Sequence, residues 1–529
     1  MKTLAVCCTI WVLPFLVAPL PAEAQLGLRL TLYRQAVAHF YPLESPQVPP
    51  ALARETFQAK ATDGAIWTAA RSGIWREDLQ AAPLDRRRYF SSRRWLAPGR
   101  VLSLAPGPNG SMWVRTETGI SHIEFRRMTL AQKASEFEAR IEQRHNRHGM
   151  VADSVLLTPG DLNSNQTISS DNDGLWTALY GAAECYRFAV TRSAQAQRLA
   201  ERSVQALLEL ERITQIPGLP ARSYILRNEP RPRDGIWNLT SDGLRLWKAD
   251  TSSDEIVGHY YLLGLAWDLL KTDSLRQPIA DAVRRITDHI LQNHLMLVDF
   301  HGQPTFWGRW DQEYFHTKRG KPDSPLNALE ILSFLKTAAH VTREPRYQNE
   351  YLRLARNEGY AQLTARYLEL RETVNYSDEE LAMLSFYPLL KYETDPALRK
   401  VYLEALEQWW QNMVREKNPL WTFIYLSCKP GKPASLADAV WTLQRIPMDL
   451  RHWTIENSSR PDVEFESQSD RFGRRQSKTL LPPDERPVMK WNGNPFRLDG
   501  GNQGATEDDG AFFLLPYWMG RYYRFLIGE

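Results

Sequence analysis

The sequence predicts a mainly α-helical protein: a closed toroid of six helix hairpins, (α/α)6, preceded by a small β-rich unit. Three observations carry this expectation. Apolar residues recur at helical spacing from about residue 128 onward, giving twelve candidate helices. Short polar turns such as "TRSA", "KTDSLRQ", "TREP" and "YETDP" join many of them, as in antiparallel hairpins. No sequence period repeats among the helices, which counts against an open solenoid.

The first element is a leader. Lys2 precedes the apolar run "LAVCCTIWVLPFLVAPL", broken by Pro14 and Pro19, and "PAEAQ" offers an Ala22-x-Ala24 cleavage site. Residues 1–24 are therefore expected to be an export signal, and the mature chain secreted or periplasmic. Cys7 and Cys8 leave with the signal. Cys185 and Cys428 remain, and a disulfide or two buried thiols fit equally well. No later segment reaches transmembrane length without charges. At 529 residues the chain can bury a large core in more than one unit. With 65 basic against 62 acidic residues it carries no polybasic surface for nucleic acid. A monomer with no membrane span is expected.

Residues 25–126 follow as the β-rich unit. "DGAIWTAARSGIWRE" (63–77) and "NGSMWVRTETGISHI" (109–123) align at a spacing of 46. Each has a D/N-G turn, a short strand with Trp, and a Gly before a second strand. Both resemble the blade motif of the two-component-regulator type of β-propeller. Two copies cannot close a propeller, so a small propeller-like accessory domain is expected.

Residues 127–529 form the helical domain. The helices are expected at 128–147, 174–192, 194–213, 254–271, 276–297, 325–341, 345–371, 378–392, 395–416, 419–428, 434–446 and 509–526. Longer connections alternate with the tight turns, at 149–173, 214–253, 298–324 and 447–508, and are rich in Trp, Gly, Asp, Arg and Pro. Gathered on one rim of a toroid, such loops build a cleft.

Candidate chemistry falls on these loops. In "DTSSDEIVGHYYLLGLAWDLL" (250–270) Ser252 or Ser253 can cap a helix, Asp254 and Glu255 lie in its first turn, and His259 follows on the same face as Glu255. Gly258 inside that helix costs about 1 kcal/mol relative to Ala, which suggests a close approach to the backbone there. "TFWGRWDQEYFHTKRGKPDSPLNALEIL" (305–332) offers Trp307, Trp310, Asp311, Glu313, Tyr314 and Arg319 on a loop, with Asn327 and Glu330 on the helix behind. So many polar groups suit substrate binding better than a buried loop. "VNYSDEELAMLSFYPLL" (374–390) is explained as a capping box from Ser377 to Glu380, with Tyr376 and Asp378 as minor candidates. Asp449 stands beyond Pro447 beside Arg451, His452 and Trp453, where it pairs with an Arg or serves as a base. The opening "DNDGLWTALY" (171–180) and the closing "EDDGAFFLLPYW" (507–518) mirror one another, and toroid closure would bring them together. One acid of Asp171 and Asp173 caps; Asp173, with Trp176, is expected at the lip of the cleft. No HExxH, CxxC, EF-hand or G-x-S-x-G pattern occurs, and no metal or cofactor is expected.

The stretches "DNDGLWTALY", "SSDEIVGHYY", "PLNALEILSFL" and "LLPYWMGRYY" resemble the six-hairpin glycosidase superfamily over about 128–526. They are more specifically similar to secreted bacterial members that carry propeller-type repeats. The arrangement is similar to inverting endo-β-1,2-glucanases, which implies a carbohydrate substrate with an early-helix acid and a downstream aspartate base. Residue by residue, the resemblance implies Glu255 as acid and Asp449 as base, with Asp438 or Asp508 as alternative bases and Asp173 in reserve. Asp171, Trp176, His259, Trp307, Trp310, Glu313, Arg319, Asn327 and Asp508 are the expected substrate-binding residues. Two rival readings stay open. One is a polysaccharide lyase using Tyr260 or His259 with Arg309 or Arg319; the other is a non-catalytic glycan-binding or sensor protein.

Overall fold

The structure, a computed structural model, describes residues 27–371, 373–429 and 434–528. The expected leader, with Cys7 and Cys8, lies outside the described residues. Strand β1 (Leu28–Arg29) pairs in parallel with Leu526–Ile527, so the two ends of the described chain meet. The β-rich unit comprises β2 (Tyr33–Tyr41), β3 (Gln58–Lys60), β4 (Ile66–Ala70), β5 (Gly73–Glu77), β6 (Arg87–Ser91), β7 (Val101–Pro106), β8 (Met112–Thr116) and β9 (Ile120–Met128). They form two four-stranded antiparallel sheets, ordered β3-β4-β5-β6 and β2-β9-β8-β7. The two aligned motifs become the hairpins β4-β5 and β8-β9, at the heart of one sheet each. Trp67, Ile74, Phe90, Met112, Val114 and Ile123 alternate inward and bury the surface between them.

The helical region contains α1 (Leu130–Arg144), α2 (Asp173–Thr191), α3 (Ala194–Ile213), α4 (Ser253–Leu269), α5 (Asp273–Gln292), α6 (Gln312–Phe315), α7 (Gly320–Thr342), α8 (Pro345–Leu352), α9 (Tyr360–Leu363), α10 (Tyr367–Leu370), α11 (Tyr376–Tyr392), α12 (Pro396–Met413), α13 (Pro419–Cys428), α14 (Ala434–Arg445) and α15 (Ala511–Tyr522). The helix expected at 345–371 is instead three short ones, interrupted by a π-turn at Arg353–Asn357 and by Gly359 at φ 73°.

Two kinds of helix are visible in the burial. Every residue of α4 from Glu255 to Ala266 is buried, and α2, α7 and α11 are nearly as enclosed. By contrast α5 buries a single stripe, Leu275, Ile279, Ala282, Val283, Ile286 and Ile290. An apolar stripe marks a helix with one face to solvent, and all-round burial marks one inside the layer. Contacts run α2 to α4, α4 to α7, α7 to α11, α11 to α13, α13 to α15, and α15 back to α2. Each of these enclosed helices also packs on a sequence neighbour: α3, α5, α8, α12 and α14 in turn, with α1 against α15. Tight turns end the enclosed helices, as at Arg192 (φ 58°) and Arg343 (φ 62°), both left-handed C-caps.

Gly258 has its close approach. A Cβ there would stand 3.0 Å from Leu175 Cα and 3.2 Å from Ala178 Cβ, so the partner is the backbone of α2 rather than a ligand. Between the two units, buried Lys133 of α1 donates to Gln35 on β2 and to the carbonyls of Leu443, Gln444 and Ile446, which satisfies the C-terminus of α14. Arg88 of β6 and Arg445 pair with Asp484, and Arg445 and Arg460 pair with Glu485, fastening the last long connection to the sheets. Cys185 and Cys428 are both free and buried, and burial pushes their thiols up, Cys428 to about 11.

Candidate functional site

The long connections precede the enclosed helices, so the chemistry-bearing residues collect at helix N-terminal turns. The first and last connections are joined by strand pairing: Asp153–Leu156 lies between Asn165–Ile168 and Thr506–Glu507, with Ser154 opposite Glu507. The stretches that open and close the ring are thereby neighbours, and α15 packs on α2. Charges at these turns act on one another across the ring. Burial raises the carboxyls of Glu255, Glu330, Asp378 and Glu380, which belong to α4, α7 and α11, and the nearby Asp254 adds to each. Lys490 sits among Asp509, Asp508, Asp153 and Glu380.

On one side of this rim a single guanidinium serves two acids. Arg371 lies 2.7 Å from Asp323 Oδ1 and 2.7 Å from Asp378 Oδ2. Tyr314 donates to Asp323 at 2.7 Å, and the Asn375 amide donates to Asp378. Burial pushes Asp378 up to about 7; Arg371 opposes this, and Asp323 and Asp254 add to it. The side chain keeps 10% of its surface. Ser377 is not the cap of this helix: α11 begins at Tyr376, and the buried Glu380 is held well above its ordinary value by burial instead of reaching back in a capping box.

On the other side one acid is held ionised. Asp508 Oδ1 lies 3.0 Å from His452 Nε2. Burial pushes Asp508 up, yet His452 and Lys490 outweigh it and hold it below the usual carboxylate range. The same pairing raises His452. The other oxygen, Oδ2, has no hydrogen-bond partner. Lys490 Nζ stands 3.5 Å over the centre of the Trp176 ring and 3.2 Å from Asp509 Oδ2. Trp176 is buried under a lysine that its own stretch gave no sign of.

Glu255 is completely enclosed. Burial pushes its carboxyl up to about 8, against Arg222 at 3.9 Å. Asp254, beside it, is half-buried at the rim. His259, one turn on, is buried with both ring nitrogens on backbone carbonyls, those of Glu255 and Leu207. Asp173 is equally enclosed. It accepts from Arg147 Nη2 (2.7 Å) and Ser223 Oγ on one oxygen, and from the Ser170 amide (3.0 Å) and hydroxyl (2.7 Å) on the other. Those bonds tie the entry of α2 to the strands beside it and leave no free acceptor for a sugar. Asp171 is exposed and pairs with Lys248 at 2.6 Å. Asp449 is gripped by Arg451 (2.8 and 2.9 Å) and by the Trp453 indole (2.7 Å); although burial opposes it, Arg451 holds its carboxyl low.

The third connection divides in two. Trp310 is wholly buried and donates to Glu330 at 2.8 Å, and Asn327 donates to the Arg309 carbonyl at 2.6 Å; both brace the loop. Phe306 and Trp307 keep 52% and 47% of their surface, with Arg319 stacked 3.4 Å and 4.6 Å from their ring centres. The Phe306 amide donates to Asp250, three residues before α4, so this aromatic tip stands at the same rim. Glu313 is exposed on α6. Tyr260 is enclosed and bonded to Thr287 at 2.7 Å, and Arg309 pairs with Asp311 at 2.8 Å. Missed by the sequence reading were Asp254 and Asp323 as site residues, Asp378 as more than a minor one, and Arg371 and Lys490 altogether. Among the described residues, no group of three or more His, Cys, Asp or Glu could hold a metal ion, and no helix is long and apolar enough to cross a membrane.

No family model matches the chain, and no curated protein matches it either. Solved structures with a similar arrangement include a sugar epimerase from a ruminal bacterium, 10% identical over 74% of this chain and 98% of that one, at a TM-score of 0.38. Cellobiose 2-epimerase from Spirochaeta thermophila DSM 6192 is 12% identical over 75% and 97%, at 0.37. A metagenome-derived glycoside hydrolase family 9 endoglucanase is 11% identical over 92% and 99%, at 0.43.

Proposed function

We propose that the chain is an exported glycoside hydrolase built on an (α/α)6 toroid, which cleaves a polysaccharide or oligosaccharide, β-glucan first among them, by an inverting two-carboxylate reaction. Export rests on residues 1–24. The toroid is supported by the run of enclosed-helix contacts that returns from α15 to α2.

One observation carries the reaction. Two carboxyls are pushed in opposite directions: burial takes Asp378 up to about 7, while His452 and Lys490 hold Asp508 below its ordinary value against its burial. Separated acid and base carboxyls are what glycoside cleavage needs, one to protonate the leaving oxygen and one to activate water on the opposite face of the sugar. In this assignment Asp378 is the acid and Asp508 the base, with His452 and Lys490 keeping Asp508 ionised. Phe306 and Trp307 supply flat apolar faces for sugar rings. β-Elimination finds less support, because Tyr260 and His259 are enclosed and already bonded.

The test is incubation of the purified mature protein with a panel of polysaccharides, reading reducing ends and ultraviolet absorbance together. New reducing ends without ultraviolet absorbance are expected. Ultraviolet-absorbing products would replace this reading by a lyase, and tight binding without turnover by a glycan-binding protein.

A further inference from the structure

One hydroxyl lies between two carboxyls at the start of α4. Ser252 precedes the helix as its N-cap residue, yet its side chain makes no capping bond. Its Oγ is instead 2.7 Å from Asp254 Oδ2 and 2.8 Å from Glu255 Oε2. A serine hydroxyl has one proton to donate. Were both carboxyls ionised, one oxygen pair would face lone pair to lone pair at hydrogen-bond distance. One carboxyl must therefore carry a proton and donate it to Ser252.

Burial decides which. Asp254 is half-buried and meets solvent, whereas Glu255 has no exposed surface and its Oε1 has no partner. Gly174 of α2 packs against Glu255 Cγ, and Leu210 of α3 closes the same side. The one cation nearby, Arg222, spends its N–H groups elsewhere: on the Asp171 carbonyl (2.7 Å), the Asp250 carbonyl (3.0 Å) and Asn172 Oδ1 (3.0 Å). His259, also in contact, is kept neutral by burial and turns Nδ1 to the Glu255 carbonyl (2.6 Å), so it offers the carboxyl no charge. Enclosure without a hydrogen-bonded cation favours the neutral carboxyl.

We infer that Glu255 is a positioning residue: as a neutral carboxyl it donates to Ser252, which donates in turn to Asp254 and holds that group ionised at the rim. Ionised Asp254 is within electrostatic reach of Asp378 and Glu380 of α11, Glu330 of α7 and the Arg222 guanidinium. Its charge helps to keep the proton on Asp378. This inference rests on the two-carboxylate reading for its purpose, but its geometry does not depend on turnover.

The experiment is chosen to separate the two. Infrared difference spectra of wild type against Glu255→Gln at pH 7 should show the loss of a protonated-carboxyl C=O band. Loss of a carboxylate band instead would overturn the inference. In parallel, the same band is read in Ser252→Ala, where the Glu255 proton loses its acceptor and the band should move to higher frequency. A band left in place by Ser252→Ala would also overturn the inference. Both readouts hold on a protein that cleaves no glycan, so failure of the proposed reaction is seen separately in the polysaccharide panel.

Discussion

Replacing Asp378 by Asn should make the protein more stable at alkaline pH while slowing the proposed glycan cleavage. The carboxyl rises from 3.8 to about 7 in the folded state, since burial and the Asp323 and Asp254 charges outweigh Arg371. At about 1.4 kcal/mol per pH unit this amounts to roughly 4 kcal/mol. The sign follows from the direction of the change. A carboxyl raised on folding binds its proton more tightly in the native state, so its contribution is fully present below pH 3.8 and is lost as pH rises to about 7. Above that the native state carries a buried, under-compensated charge. Asn removes the charge, keeps the shape, and leaves Arg371 to Asp323. Urea unfolding of both proteins from pH 4 to 8 should show the Asn variant gaining on wild type with increasing pH, by about 2–4 kcal/mol at pH 8 after relaxation around the site. A stability difference that is flat across this range would mean that Asp378 is not raised on folding.

Other outcomes follow from the packing. Gly258→Ala gains about 1 kcal/mol of helix propensity but drives a methyl against Leu175 Cα at 3.0 Å; overpacking of about 1–3 kcal/mol wins, and the melting temperature should fall. Lys133→Met leaves the carbonyls of Leu443, Gln444 and Ile446 without their donor and should cost about 2–4 kcal/mol in urea unfolding. Cys185 and Cys428, both buried with raised thiols, should resist a thiol reagent in the native state at pH 8 and react within minutes once unfolded.

The helices were legible because burial imposes a period on the sequence. Striped α5 shows it, enclosed α4 is apolar on nearly every side, and the three-residue turn between them marks the hairpin. The break in the third outer helix was not legible, since Arg353–Asn357 keeps its apolar spacing through the π-turn. Acids in a first turn posed the harder problem. Glu255 and Asp254 are adjacent, equally suited to a helix dipole, and only the folded chain shows that one is sealed and the other reaches the rim. "SDEE" (377–380) looked like a capping box because spacing alone cannot tell a glutamate that bends back from one that points into the ring. Lys490 lies in an aperiodic connection, 314 residues from the Trp176 ring that it covers, and no local pattern could announce that meeting.

The most direct measurement is the anomeric configuration of the first product, read by proton NMR during cleavage of an oligosaccharide by wild type, Asp378→Asn and Asp508→Asn. An inverted anomer is expected from wild type, with a rate lower by about 10²–10⁴ in each variant, as when a general acid or base is removed. A retained anomer, or either variant cleaving at the wild-type rate, would contradict the inverting two-carboxylate reading.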